Sequence, residues 1–330
     1  MTTIVIAGVV LALIFDLLNG MNDAANSIAT VVTTRVLSPK LAVLMAALCN
    51  VFGAFAFGVH VATTVGKGIV EPAVITPVVV IAGLVGAIIW TYVCTHFGFP
   101  ISVSHALIGG LCGAAIVKAG TSALIGSGLL KVAAFIAISP LAGMIIAALF
   151  FGLLIKIFGS WTKQKVVRVF SKLQIISAAS YGVSHGTNDA QKTMGIIAIL
   201  LFSAGLLGKE FYVPIWVIAA STAAIGLGTL LGGWRVIETM GAKITRIGPL
   251  EGFAAETAGS VTVVSCSLAG IPVSTTHTIA GCIMGVGVRR RIGAVRWGVA
   301  SHIVWAWILT IPCSAIIGLL CYLALAKLVG

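Results

Sequence analysis

Asn19-Gly20-Met21-Asn22-Asp23-Ala24-Ala25-Asn26-Ser27 returns later in the chain as Ser184-His185-Gly186-Thr187-Asn188-Asp189-Ala190-Gln191-Lys192-Thr193. Superposed, Gly20 meets Gly186, Asn22 meets Asn188, Asp23 meets Asp189, Ala24 meets Ala190 and Ser27 meets Thr193. Both peptides lie inside long apolar runs, where a carboxylate is expensive and marks a functional site by default. The chain holds only three aspartates, Asp16, Asp23 and Asp189, and two of them fill matching slots.

A second peptide is duplicated in the same order. Gly98-Phe99-Pro100-Ile101-Ser102-Val103-Ser104-His105 returns as Gly270-Ile271-Pro272-Val273-Ser274-Thr275-Thr276-His277, and Gly109 beyond the first matches Gly281 beyond the second. The offset is 166 residues for the first pair (Asn22 to Asn188) and 172 for the second (Pro100 to Pro272). Two motifs recurring in one order are the mark of an internal duplication.

Composition says where such a chain lives. Hydrophobic residues make up 59% and charged residues 8%, and the mean hydropathy of +1.17 leaves too little polarity for a soluble surface. Apolar runs of about 20 residues, enough to span a bilayer, recur throughout, so an all-α polytopic membrane protein is expected. The opening run 3–18 lacks a basic start and a small-residue cleavage site, and reads as a retained span rather than a signal peptide. The seven cysteines stand singly with no CxxC pair, which argues against a zinc site or a disulfide framework. The net charge of +12 reads as loop charge that sets orientation, not as a nucleic-acid surface.

Expected spans in the first half are 3–34, 41–59, 77–97, the segment 98–118 and 132–158. In the second they are 173–207, 213–233, 252–269, 279–288 preceded by the Pro-Ser turn, and 297–325. Residues 98–118 suit either a crossing helix or a re-entrant hairpin. Helix 3–34 is expected to break at Asn19–Asp23, because irregular backbone at membrane depth is tolerated beside a polar cavity. Five crossing elements per half is an odd number, so the second half would enter from the opposite face as an inverted repeat. Residues 1–155 form the first repeat, 156–172 a basic linker and 173–330 the second repeat. With the amino terminus outside, fourteen of the twenty basic residues fall on the cytoplasmic side, as the positive-inside rule asks.

Inverted repeats with helix breaks near the bilayer midplane are a recurring design of secondary transporters. Asn-Asp motifs offer carboxylate and amide oxygens, the hard ligands that suit a small cation or a proton. Asn22, Asp23, Asn26, Asn188, Asp189 and Thr193 are therefore candidate coupling-ion residues. Glu256, alone in an apolar run, joins them. Ser/Thr turns ahead of a helix offer hydroxyls and unpaired N–H groups at the positive end of the helix dipole, an anion site. Ser102, Ser104, His105, Ser274, Thr275, Thr276 and His277 fit that role twice, with Gln191 and Lys192 from the second Asn-Asp motif. The histidines also read as neutral packing residues. Asp16, two turns before Asp23, is a candidate helper; the unduplicated His60, His96 and His302 read as structural; His185, which faces Asn19 in the first motif, carries no firm role. A membrane hydrolase built on Ser104-His105 or Thr276-His277 is disfavoured, because sequence neighbours on a helix point apart while a nucleophile needs its base within hydrogen-bond reach. A channel would share the polar midplane, and an oxyanion permease for sulfate would share the donors.

Asn22-Asp23-Ala24-Ala25-Asn26-Ser27, Gly186-Thr187-Asn188-Asp189-Ala190 and Pro272-Val273-Ser274-Thr275-Thr276-His277 resemble the signatures of the inorganic phosphate transporter family, PiT. The likeness covers both repeats. It implies a cation-coupled phosphate symporter in the cell membrane, with the Asn-Asp motifs near the coupling ions and the Ser/Thr turns holding the anion. No cofactor is implied beyond transported phosphate with H+ or Na+ and, in some relatives, a divalent cation carried as a metal–phosphate complex; another branch takes sulfate. Sodium-driven animal members have a second glutamate where Asn50 stands here, and asparagine where Lys192 stands. An ammonium three residues beyond Asp189 would fill the place of a bound sodium ion, which points to proton coupling. If Lys192 merely pairs with Asp189, sodium would still drive transport. The reading leaves open a homo-oligomer and a cytosolic regulatory protein docking on the basic loop.

Overall fold

The computed structural model describes residues 2–56, 68–208, 210–269, 271 and 273–329. His60, Lys67, Lys209, Gly270, Pro272 and the end of the expected span 41–59 lie outside the described residues. Among those described there are eleven helices and no strand. They are α1 (Thr2–Thr33), α2 (Pro39–Ala56), α3 (Pro77–Phe97), α4 (Val103–Ala119), α5 (Gly126–Phe158), α6 (Lys163–Ser203), α7 (Ile215–Leu231), α8 (Trp234–Glu238), α9 (Pro249–Leu268), α10 (Thr275–Arg290) and α11 (Trp297–Val329).

The chain is apolar outside and polar within. Phe52 is 77% exposed and Leu149 70%, while Asp16, Asp23, His185, Asp189, Lys192 and Glu256 are buried. Water would not tolerate that distribution; lipid requires it. Helices α1, α3, α5 and α11 are each long and apolar enough to cross a membrane. Helix α7 joins α8 and its π-helical continuation Thr239–Lys243 through a 67° bend to make a fifth such span.

The duplication is visible in the packing. Helix α1 lies on α7 as α6 lies on α2, and α3 pairs with α4 as α9 pairs with α10. The last helix of each half packs on the hairpin of the other: α11 against α3 and α4, α5 against α9 and α10. Each of these crossing helices carries one internal proline, Pro140 in α5 and Pro312 in α11, 172 residues apart like the Pro-Ser turns. The matched glycines explain the close approaches. A methyl on Gly20 would collide with the Ile225 carbonyl of α7, and one on Gly186 with the Asn50 carbonyl of α2.

Helix α1 runs unbroken through Asn19–Asp23, and α6 runs unbroken through the second motif. The expected break is therefore corrected. Asn and Asp project polar side chains without surrendering the backbone ladder, which in lipid is costly to leave unpaired. The breaks fall at the hairpin tips instead. Helix α3 ends on Gly98 in the left-handed region (φ 76°), and α4 starts at Ser102, whose side chain accepts from the His105 N–H. Ser274 caps α10 in the same way through the His277 N–H. The base of the first hairpin is closed by an isolated antiparallel bridge between Val70 and Leu124, with Glu71 N–H bonded to the Ala123 carbonyl at 2.9 Å. Segment 98–118 is thus the returning arm of a hairpin, and whether its arms cross fully or dip in, they add an even number of crossings. The parity that inverts the second half survives either way.

The stretch 156–172 is mostly helical: Lys156 ends α5, and Lys163, Lys165, Arg168 and Lys172 open α6. Phe170 meets Phe158 and Phe253 edge-on, Thr34 Oγ1 donates to Gln174 Oε1 at 2.9 Å, and Arg290 reaches Glu251. The ends of α1, α5 and α10 and the starts of α6 and α9 therefore gather at one end of the bundle, with their basic residues.

Candidate substrate and coupling-ion site

The two Asn-Asp motifs meet across the repeat boundary. His185, one turn before Asp189 on α6, places Nε2 3.0 Å from Asp189 Oδ2 and 3.5 Å from Asp23 Oδ2 on α1. Its Nδ1 lies 3.0 Å from Asn50 Oδ1, and Asn50 Nδ2 donates to Thr229 Oγ1 at 2.8 Å, which fixes the ring between α2 and α7. Asp23, His185 and Asp189 each offer a ligand atom within 4.8 Å of the others, a geometry open to a small cation.

The hairpin tips close over these carboxylates. Thr276 Oγ1 donates to Asp23 Oδ1 at 3.0 Å and Thr275 Oγ1 to Asp189 Oδ2 at 3.1 Å. Asn26 Nδ2 donates to both hydroxyls, at 3.0 Å to Thr276 and 3.3 Å to Thr275. Tyr181 donates to the Thr275 carbonyl at 2.8 Å. From the other hairpin, Ser104 Oγ sits 2.6 Å from Lys192 Nζ, which also contacts Asp189 Oδ1 at 2.5 Å and the Val273 carbonyl at 3.1 Å. One buried ammonium thus links α6 to both tips. The residues are held by helix phase: Asp189, Lys192 and Thr193 fall on one face of α6 at the i, i+3, i+4 spacing.

Expected site residues distribute unevenly around this centre. Asp23, Asp189, Lys192, Ser104, Thr275, Thr276 and Asn26 converge. Ser102 and Ser274 have their oxygens engaged as helix caps. His105 and His277 meet edge-on with centroids 5.0 Å apart, and His277 stacks on Trp307 at 4.0 Å; Trp307 in turn donates to the Pro100 carbonyl. The imidazoles therefore line the junction of the tips. Asn22 donates to Thr95 at 2.8 Å on α3, and its Oδ1 is buried without a hydrogen bond among the described residues, as are both side-chain polar atoms of Asn188 and the Thr193 hydroxyl. Gln191 is buried.

Glu256 stands in a polar cage of its own. Thr30, Ser177 and Gln174 all donate to it, and the last bond is 3.3 Å. The sequence left His185 without a role, yet it is the group both carboxylates share. It also did not single out Asn50 as a partner of His185, nor Thr95, Thr229, Tyr181 and the cage around Glu256. Thr95 has a counterpart at the 172-residue offset, Ser267, just ahead of the paired peptides; Asn50, Thr229, Tyr181 and the cage residues have none, so comparing the repeats could not expose them, and His185 was marked only by adjoining the motif.

Comparison with known proteins agrees with this architecture. The model of the phosphate transporter family matches residues 19–163 and again 158–318. A probable low-affinity inorganic phosphate transporter of Rhizobium meliloti is 54% identical over 316 residues, covering 96% of this chain and 95% of the relative. One from Bacillus subtilis is 40% identical over 319 residues, 96% of each. A solved structure titled the sodium-dependent phosphate transporter superposes with a TM-score of 0.90 at 27% identity, covering 98% of this chain and 99% of that one. On these matches, which span both repeats and the paired motifs, the chain belongs to the phosphate transporter family.

Proposed function

We propose that the chain is a symporter that imports inorganic phosphate across the cell membrane on a proton gradient, with its basic end in the cytoplasm. The observation that carries this reading is Lys192 Nζ, which does not merely pair with Asp189 but also reaches Ser104 and the Val273 carbonyl, one from each hairpin. A fixed ammonium there supplies the positive charge that a bound alkali cation would otherwise bring to Asp189. The remaining carboxylate, Asp23, shares His185 with it, and His185 is positive only when protonated. A proton is then the species whose arrival changes the charge of the centre. Phosphate would be held by the Thr275, Thr276 and Ser104 hydroxyls, by Lys192, and by first-turn N–H groups of α4 and α10 that no helical carbonyl can satisfy. Loading it requires Thr275 and Thr276 to release the carboxylates, which couples anion binding to the protonation of the pair.

Sodium coupling is the second reading, favoured by the sodium-dependent protein that shares the fold. The deciding measurement is phosphate uptake by proteoliposomes in sodium-free buffer with an inward proton gradient. Uptake that collapses with a protonophore supports the proton reading; uptake that waits for sodium replaces it. Repeating the assay with a chelator tells free phosphate from a metal–phosphate complex. Competition by sulfate at several pH values tests the choice of oxyanion.

A further inference from the structure

At the basic end of the bundle, far from the paired aspartates, a cleft of about 620 Å³ opens between two connections. Thr245 and Arg246 line one side, ahead of α9. Arg290, Arg291 and Arg296 line the other, around the turn between α10 and α11. Four guanidinium groups repel one another unless something negative lies among them, and the protein offers little. Glu251 Oε1 is 3.4 Å from Arg290 Nη1. Arg290 and Arg296 also donate to the Arg246 and Ala242 carbonyls, at 3.2 and 3.3 Å. The exposed side chains of Arg246 and Arg291 have no hydrogen bond or ion pair among the described residues.

Two ordinary explanations cover only part of this. A cation at the end of α10 complements the helix dipole, and basic loops orient a membrane protein. Neither accounts for Arg246 and Arg296, on separate segments, facing the same volume as Arg290 and Arg291. Guanidinium forks match phosphate oxygens in pairs. The rim adds the source: Ile292 is 70% exposed and Trp297 48% exposed, with Trp297 Nε1 donating to the Ile292 carbonyl at 3.0 Å. A tryptophan beside an exposed aliphatic residue is suited to the depth where headgroups meet acyl chains. A soluble polyanion has no use for that rim.

We propose that this cleft is a binding site for the phosphodiester headgroup of an anionic phospholipid. The bound headgroup ties the segment ahead of α9 to the segment after α10, and so braces the base of the hairpin whose tip holds Thr275 and Thr276. Those tip residues lie at the other end of α10, about 24 Å away for a 16-residue helix.

The test uses the full chain in phosphatidylcholine nanodiscs doped with phosphatidylglycerol, with the anionic lipid retained per protein counted by mass spectrometry. Arg246→Gln with Arg291→Gln removes the two unpartnered charges and leaves the melting temperature unchanged. Each charge near an anionic surface is worth about fivefold in binding, so the double variant retains phosphatidylglycerol about twenty-five-fold more weakly. Lys156→Gln, an exposed charge removed outside the cleft, leaves retention as in the unmodified chain. Equal retention in the double variant, an equal loss in Lys156→Gln, or ATP binding to the cleft more tightly than phosphatidylglycerol would each overturn the proposal.

Discussion

Asp23 and Asp189, 166 residues apart in sequence, share one imidazole: His185 Nε2 is 3.5 Å from the first carboxylate and 3.0 Å from the second. Each is further held by a threonine of the same hairpin tip, Thr276 on Asp23 and Thr275 on Asp189. The two copies of the motif thus meet in one cluster, but they are not equivalent. Asp189 alone is paired with an ammonium.

That asymmetry separates two conservative substitutions. Asp23→Asn and Asp189→Asn are both expected to abolish gradient-driven uptake. Asp189→Asn also leaves Lys192 buried without its counter-charge, which costs about 3–5 kcal/mol, while Asp23→Asn leaves no such orphan. Melting temperatures should fall clearly in the first and little in the second, and labelled phosphate should still bind measurably to Asp23→Asn. Equal losses of stability would show that Lys192 does not depend on Asp189.

Lys192→Asn tests the coupling ion. Asparagine already stands at the matching position of the first repeat, Asn26, so the side chain suits this helical context. Removing the ammonium opens the space beside Asp189 to an alkali cation, and uptake by the variant should become sodium-dependent in proteoliposomes. A variant whose uptake remains driven by protons alone, at the unmodified rate, would remove Lys192 from the coupling mechanism.

Glu256 can be probed at constant shape. Glu256→Gln keeps the volume and loses the charge that Thr30, Ser177 and Gln174 surround. Uptake is expected to fall at least tenfold while the melting temperature barely moves. Glu256→Ala strips all three donors of their acceptor, costing about 1–3 kcal/mol for each group left unsatisfied, and should lower the melting temperature sharply. Full uptake by Glu256→Gln would assign the residue to packing alone.

The helix contacts around the site make their own prediction. Gly186→Ala drives a methyl into the Asn50 carbonyl, in the segment that also positions His185 through Asn50 Oδ1. Overpacking of this kind costs about 1–3 kcal/mol. The variant should show a lower yield of monodisperse protein by size-exclusion chromatography, and less uptake per folded molecule. Gly20→Ala, against the Ile225 carbonyl, should behave alike.

By itself the sequence determined what repeats and what is apolar. Composition required a helical membrane protein, the two paired peptides revealed the duplication, and the buried carboxylates at matched positions marked Asp23 and Asp189 as the centre. Helix phase follows from chain order, so the shared face of Asp189 and Lys192 was legible as well. Tertiary structure decided whatever depends on which helices touch. It placed His185 between the two aspartates, gave Glu256 its separate cage, sent Lys192 to Ser104 across 88 residues, and moved the helix breaks from the Asn-Asp motifs to the hairpin tips. The physical reason is that local pattern reports on each residue's own backbone and solvent. A buried polar group, by contrast, is satisfied by whichever partner packing brings within about 3 Å, and that partner has no fixed place in the sequence.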